Sequence, residues 1–239
     1  KRKKIKDSYY IRKRREELSI RDVFMIAGGG AMHLNDSIGK SKKISYICSH
    51  HEQASAIGAE GYSRVSGKIG CVIVTSGPGG TNTLTGVIGQ WLDSIPVMYI
   101  SGQVKRETTI EAYPNIKLRQ LGDQEINIVD IVKPVTKYAI YVDDPNKIRF
   151  HLEKAFYVAM SGRPVPVWID IPLDVQGAMI DEANLAAYDP KEDEIKFNFD
   201  DINSKITNTI ELLKKAKRPI IVAGHGIRIS RSQELFLKI

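Results

Sequence analysis

Cysteine is scarce in this chain of 239 residues, which holds only Cys48 and Cys71. Both lie inside apolar runs, YICS and GCVIV, and neither has a CxxC partner. That placement suits small buried hydrophobes, argues against a disulfide framework or a thiolate metal centre, and points to a reducing, cytoplasmic setting. Long hydrophobic runs are missing as well. No stretch approaches the roughly 20 apolar residues that span a bilayer, and the basic N-terminus lacks the apolar segment of a signal peptide. No membrane partner is expected. The formal net charge of +7 is confined to one end: residues 1–21 hold ten Lys/Arg against three acids, and the remainder carries 25 of each. No nucleic-acid recognition module accompanies the basic residues, so residues 1–20 are read as a basic segment with a first helix, solvated on one face and frayed at its terminus, and no nucleic-acid partner is expected. The chain begins at Lys rather than Met, which reads as a start inside a longer translation product.

What is present is a regular alternation. DVFMIAG (22–28), ISYICS (44–49), IGCVIVTS (69–76), IPVMYISG (95–102), VTKYAIYV (135–142) and PVPVWIDIP (164–172) are short, rich in Val and Ile and apolar on both faces, as strands buried in a parallel sheet are. Between them AMHLNDSIG, EQASAIGAEGYSRVSG, TNTLTGVIGQWLDS and DPNKIRFHLEKAFYVAMSG show helical spacing. Repeated strand–loop–helix order predicts an α/β fold, doubly wound, with a mostly parallel sheet and helices on both faces, over residues 21–180. Residues 181–200 are acidic and unpatterned and read as a linker. After it, Ile202, Ile206, Ile210 and Leu213 fall on one helical stripe, PIIVAGHGI reads as a strand with a glycine turn, and SQELFLKI opens another helix. Residues 201–239 are therefore expected to begin a second α/β domain, which stays incomplete because about 40 residues rarely fold alone.

Three glycine-rich or polar junctions follow strands: GGGAMH (28–33), TSGPGGTN (75–82) and SGQ (101–103), and ligands in such sheets bind outside the carboxyl ends of the strands. Glu52 opens the helix EQASAIGAEGYSR. On pattern alone, the helix dipole and the free first-turn N–H groups account for an acid there. TSGPGGTN resembles an anion-cradling turn, yet it has neither the Gly-Lys-Ser/Thr of a P-loop nor the glycine spacing of a dinucleotide fingerprint. A tight strand–helix turn with Pro78 fixing φ explains it equally well. No residues qualify as metal ligands.

Taken in order, VFMIAGGGAMHLNDSI, HHEQASAIGAEGYSRVSGKIGCVIVTSGPGGTNTLTGVIGQWLDSIPVMYISGQV, KPVTKYA and KAFYVAMSGRPVPVWIDIPLDVQ resemble the N-terminal pyrimidine-binding domain of thiamine-diphosphate enzymes of the acetolactate synthase-like group. The resemblance covers roughly residues 20–177, and RPIIVAGHGIR is similar to the start of that family's central domain. It implies that Glu52 hydrogen-bonds N1′ of the cofactor's aminopyrimidine and favours the imino form that deprotonates the thiazolium, so that a 2-keto acid loses carbon dioxide and the remaining fragment joins a second carbonyl. It further implies that Ile26, Pro78 and Asn82 pack near the pyrimidine and that Gln103 faces cofactor and substrate. His51 is expected to orient its neighbour or to touch a second subunit.

The chain departs from the family in three places. Ile26 stands where an aromatic is usual, Asp123 where a Phe usually precedes Gln-Glu, and residues 104–127 are longer than in the usual synthase. The Gly-Asp-Gly motif that binds Mg²⁺ and the diphosphate is absent, the nearest match, Gly122-Asp123, being followed by Gln. The resemblance thus implies a piece that is inactive alone, with Mg²⁺ and any FAD held elsewhere in a longer enzyme, and a homodimer or tetramer in which Ala56, Ile57, Ala59 and Tyr62 either meet a second subunit or pack on the sheet. Three readings stay open: a carboligase acting on 2-keto acids, a related decarboxylase or lyase for another keto acid, and a non-catalytic scaffold.

Overall fold

The computed structural model describes residues 4–197 and 199–239, and these form two compact units, one running through Glu192 and one from Asp193 to Ile239. In the first, strands β1 (Lys4–Lys6), β2 (Asp22–Met25), β3 (Ser45–Cys48), β4 (Gly70–Val74), β5 (Val97–Gln103), β6 (Tyr138–Tyr141), β7 (Val167–Pro172) and β8 (Met179–Asp181) alternate with helices. These are α1 (Asp7–Glu17), α2 (Met32–Gly39), α3 (Glu52–Ser66), α4 (Pro78–Thr81), α5 (Leu84–Asp93), α6 (Ile128–Val132), α7 (Ile148–Met160) and α8 (Leu173–Gly177). Six strands make one sheet in the order β3-β2-β4-β5-β7-β6, every neighbouring pair parallel. β1 and β8 pair separately and antiparallel.

The period-2 alternation of side chains along the strands assigns each helix layer its core. Val23, Met25, Cys71, Ile73, Met98, Ile100, Val167 and Ile169 join the cluster that includes Ile11 of α1, Leu34 and Ile38 of α2, and Leu152 and Ala155 of α7. Val72, Val74, Val97, Tyr99 and Trp168 join the other, with Ala56 and Ala59 of α3, Val87 of α5 and Ile128 of α6. The sheet is therefore covered on both faces, as expected. Ala56 and Ala59 serve the core, whereas Ile57 is half exposed.

Three expectations change. Residues 4–17 are no solvated, frayed segment: β1 is tied to β8, and α1 buries Tyr10, Ile11 and Arg15. The helix itself is expected; its burial is hidden in the sequence because the buried face carries polar groups, Asp7, Ser8 and an Arg15 whose Nη1 lies 3.4 Å from Cys71 Sγ. Strand β3 is not covered on both sides. It is the sheet edge, and Ser45, Tyr46, Ile47 and Cys48 are all exposed, so Cys48 is not the buried hydrophobe its apolar run suggested. Third, PIIVAGHGI forms no strand. In the unit from Asp193, α9 (Ile202–Lys215), α10 (Gly226–Ile229) and α11 (Gln233–Phe236) are present, but the described residues of that unit hold no strand to share backbone hydrogen bonds with residues 219–227. Ile220 and Val222 are 86% and 90% exposed. The stripe Ile202, Ile206, Ile210 and Leu213 lies on α9 and is exposed as well.

α3 and α5 approach closely because Gly86 faces Ala56: a Cβ on Gly86 would stand 2.6 Å from Ala56 Cβ. A larger side chain there forces the helices apart. Gly86→Val is expected to destabilise the first unit by roughly 1–3 kcal/mol, the usual range for overpacking, read as a lowered midpoint in chemical denaturation followed by far-ultraviolet circular dichroism.

Candidate functional site

Three junctions at the carboxyl edge of the sheet converge. After β3 the chain turns through Ser49 and His50, and His51, in extended conformation (φ −154°), caps α3 by accepting the Gln53 N–H on Nδ1 at 3.1 Å. The cap fixes the first turn and hence the direction of Glu52. After β4, Gly77 adopts φ +59° with ψ −122°, a conformation that L side chains resist, and a Cβ there would also lie 2.5 Å from the Gln124 carbonyl oxygen. Pro78 then opens α4 at the position where its missing N–H is harmless. One turn on, Asn82 Nδ2 donates to Glu52 Oε2 at 2.9 Å. A Cβ on Gly79 would lie 3.8 Å from Glu52 Oε1, so the glycine leaves the space beside that oxygen clear.

Ile26 follows directly on β2, the strand between β3 and β4, and is half-buried. Its loop rests on the next one: Gly30 N donates to Thr75 Oγ1 at 3.0 Å, and a Cβ on Gly28 would meet the Thr75 side chain at 2.4 Å. Thr75 is thus the peg joining the junctions after β2 and β4, and it also backs Gly79. Sequence reading passed over it as the end of a strand. Gln124, left-handed at φ +58° with its carbonyl against Gly77, was passed over too. A non-glycine residue in that region is a mark of local constraint, but nothing in LGDQEI announces it.

Gln103, the last residue of β5, is buried and turned elsewhere. Its Nε2 donates to the Ile126 carbonyl at 2.9 Å and to Asp170 Oδ2 at 3.1 Å, and its Oε1 accepts the Val104 N–H at 3.0 Å. Gln103 and Asp170 line a cavity of about 370 Å³ at the carboxyl ends of β5, β6 and β7, together with Thr109, Glu111, Arg119 and Tyr141. The structure therefore brings together Glu52, Asn82 and the Pro78 turn, with Ile26 at the neighbouring strand end, and sets Gln103 in a separate network. Residues 104–127 run through two 3₁₀ turns, Arg106–Thr108 and Ile110–Ala112. They close on Glu125, whose carboxylate accepts the N–H groups of Ile110, Leu121 and Gly122. Asp123 is exposed. Among the described residues no three His, Cys, Asp or Glu side chains cluster to hold a metal ion.

Asp170, the single acid in PVPVWIDIP, is 1% exposed, and burial pushes its carboxyl up to about 7 even though Ser101 Oγ and Gln103 Nε2 both donate to it. Because the folded-state value lies above the ordinary 3.8, the folded chain holds a proton that the unfolded chain has lost between pH about 4 and about 7. Stability conferred this way is complete at low pH and disappears as pH rises through about 7. Buried Asp7 is raised in the same sense. Asp170→Asn is expected to remove the Asp170 share, so that urea midpoints measured from pH 5 to 8 fall less steeply in the variant than in the native chain.

Comparison with known proteins gives the family. The family described as "Thiamine pyrophosphate enzyme, N-terminal TPP binding domain" matches residues 9–130. The acetolactate synthase large subunit of Lactococcus lactis subsp. lactis (strain IL1403) is 34% identical over 223 residues, 92% of this chain and 36% of that protein. The acetolactate synthase large subunit of Corynebacterium glutamicum is 36% identical over 217 residues, 89% of this chain and 32% of that protein. The chloroplastic acetolactate synthase of Arabidopsis thaliana is 33% identical over 233 residues, 92% of this chain and 31% of that protein. The chain spans about a third of the length of these curated relatives. No helix among the described residues is long and apolar enough to cross a membrane. With Glu52 and Asn82 paired at the strand ends and the family match extending across both, this chain belongs to the thiamine pyrophosphate enzymes, as their N-terminal TPP-binding domain.

Proposed function

We propose that the chain is the part of an acetolactate synthase-like carboligase that holds the cofactor's aminopyrimidine, with Glu52 as the carboxylate facing ring N1′. The hydrogen bond from Asn82 to Glu52 carries this reading. It occupies Oε2 and pins the carboxylate, while Oε1 looks past Gly79, where no side chain intrudes. A carboxylate held by one oxygen and free at the other suits sharing a proton with a ring nitrogen. When bound, thiamine diphosphate supplies the carbon nucleophile and electron sink by which a 2-keto acid is decarboxylated and its remainder transferred. The chain's own residues orient and enclose: His51 sets the start of α3, Asn82 orients Glu52, Ile26 and Pro78 offer apolar contact to the ring, and Gln103 acts on the site through the segment it holds.

The proposal extends to the whole enzyme. Mg²⁺ and the diphosphate, and FAD where it is used, are held by parts outside residues 1–239, and the chain alone is inactive. A homodimer or tetramer completes the site, with the exposed β3 edge and Ile57 of α3 available for contact. The two unpaired cysteines favour a cytoplasmic setting. A second reading, a decarboxylase or lyase for another keto acid, is favoured by residues 104–127, where the exposed Asp123 replaces an apolar group. The scaffold reading draws on Ile26.

Titration calorimetry of thiamine diphosphate with Mg²⁺ into the protein from the complete gene, native and Glu52→Gln, decides among these when acetolactate formation from pyruvate is followed in parallel. The expected result is binding in both proteins and turnover that falls at least about 100-fold in the variant, the usual scale of a lost proton-transfer group. Binding without acetolactate moves the assignment to another keto acid. Absence of binding leaves the scaffold.

A further inference from the structure

Asp170 has no ion-pair partner among the described residues. Its oxygens accept only from neutral donors, Ser101 Oγ at 2.5 Å and Gln103 Nε2 at 3.1 Å, and Ser101 Oγ in turn accepts Trp168 Nε1 at 2.8 Å. Register accounts for the arrangement: Ser101 lies opposite Asp170 across β5 and β7, on the face that carries Tyr99 and Trp168. Burying an acid without a cation is costly, and an apolar residue would fill a core strand at less cost. The acid therefore calls for a role beyond filling space.

The network leads to the candidate site. Gln103 divides its two N–H bonds between Asp170 and the Ile126 carbonyl, and the bond from Val104 N to its Oε1 fixes which way the amide faces. Ile126 sits in the segment 122–128, which lies directly on the glycine turn: the Gln124 carbonyl abuts Gly77, and a Cβ on Gly80 would be 3.1 Å from Ile128 Cγ1. Two residues past Gly80 is Asn82, the donor to Glu52. The left-handed Gln124 in between is a conformation that survives only where neighbours enforce it.

We propose that Asp170 is a positioning residue of the cofactor site, acting through Gln103 to hold segment 122–128 against the Gly77–Asn82 turn and thereby fixing the carboxylate of Glu52. This rests on reading the Glu52 site as the aminopyrimidine site. An ionised Asp170 presents two acceptors, one for Ser101 and one for Gln103. A protonated carboxyl, or an asparagine, presents one acceptor and one donor: either Ser101 Oγ, which already accepts from Trp168 Nε1, takes a second donor and redirects its own hydrogen, or Gln103 turns away. If Gln103 turns, Ile126 loses its partner. The groups around Asp170 that shape its titration are Tyr141 beside it on β6, with Glu111, Arg119, Glu125 and Asp130 around the shared cavity.

Hydrogen exchange by mass spectrometry on this chain tests the proposal without any cofactor. Asp170→Asn is expected to speed amide exchange across 122–128 and 77–83 by about tenfold, a coupling of ordinary size, while β2 and β4 stay protected. Gln103→Ala is expected to loosen the same two stretches, and the double variant to loosen them no further than either alone. Trp168 emission in a Trp91→Phe background is expected to titrate with a midpoint near 7 and to lose that step in Asp170→Asn. Unchanged exchange in both stretches for a folded Asp170→Asn, or additive effects in the double variant, overturns the proposal. If Asp170→Asn fails to fold, Gln103→Ala with the same outcomes decides. Thiamine diphosphate titration of the complete enzyme is read separately: failure of the native protein to bind removes the cofactor reading alone, whereas native binding that Asp170→Asn weakens about tenfold supports the positioning role.

Discussion

Parallel pairing of six strands obliges every strand to end at the same edge of the sheet. The connections that leave this edge then have to share space, and Thr75, Gly77 and Gly79 are where they do so. Glu52 and Asn82 are 30 residues apart in sequence and one hydrogen bond apart in space because β3 and β4 flank β2 on either side. The geometry of the candidate site is a product of strand order.

The two faces of the sheet are used differently. Toward α1, α2, α7 and α8 the strands present apolar residues along their length, and the layer is an ordinary core. Toward α3, α5 and α6 the character changes along the strands: Val72, Val97 and Trp168 give way, toward the carboxyl edge, to Ser101, Gln103 and Asp170. Tyr99 marks the transition. Its ring stacks on Trp168 at 4.9 Å, and its hydroxyl donates to Gln90, whose amide donates to the Ala56 carbonyl in α3. The helix that bears Glu52 is thus braced from below by a hydrogen-bonded chain that starts in the core. In this environment satisfied polar groups specify one arrangement, since any slip would leave several of them unpaired at once.

Most of this was legible in the sequence. Six strands and four long helices declare themselves because buried parallel strands concentrate Val and Ile and because the turns between them need Gly and Pro. Glu52 opens the helix after β3 and Pro78 the one after β4, as their positions beside glycine-rich and polar turns suggest, and the Asn82–Glu52 bond joins them. Gln103 was legible as a residue of the carboxyl edge, but not its bond to Asp170, a partner 67 residues away. The burial of α1 was hidden for a related reason: Asp7 and Arg15 sit on its inner face, and a helix that buries charge does not look amphipathic. β3 and the run from 219 to 227 show the opposite failure. Both are apolar enough for a core, yet one lies at the sheet edge and the other has no strand beside it in its unit.

The chemistry of the two cysteines follows from these positions. Cys71 is sealed in the core against Arg15, and burial pushes its thiol up. Cys48 lies exposed at the end of β3, four residues before Glu52. In the folded chain one sulfur is open to solvent and the other is not. A thiol-directed spin label or fluorophore would therefore attach to the native sequence at a single point, beside the entrance to α3, and report on the surroundings of the carboxylate with no residue altered.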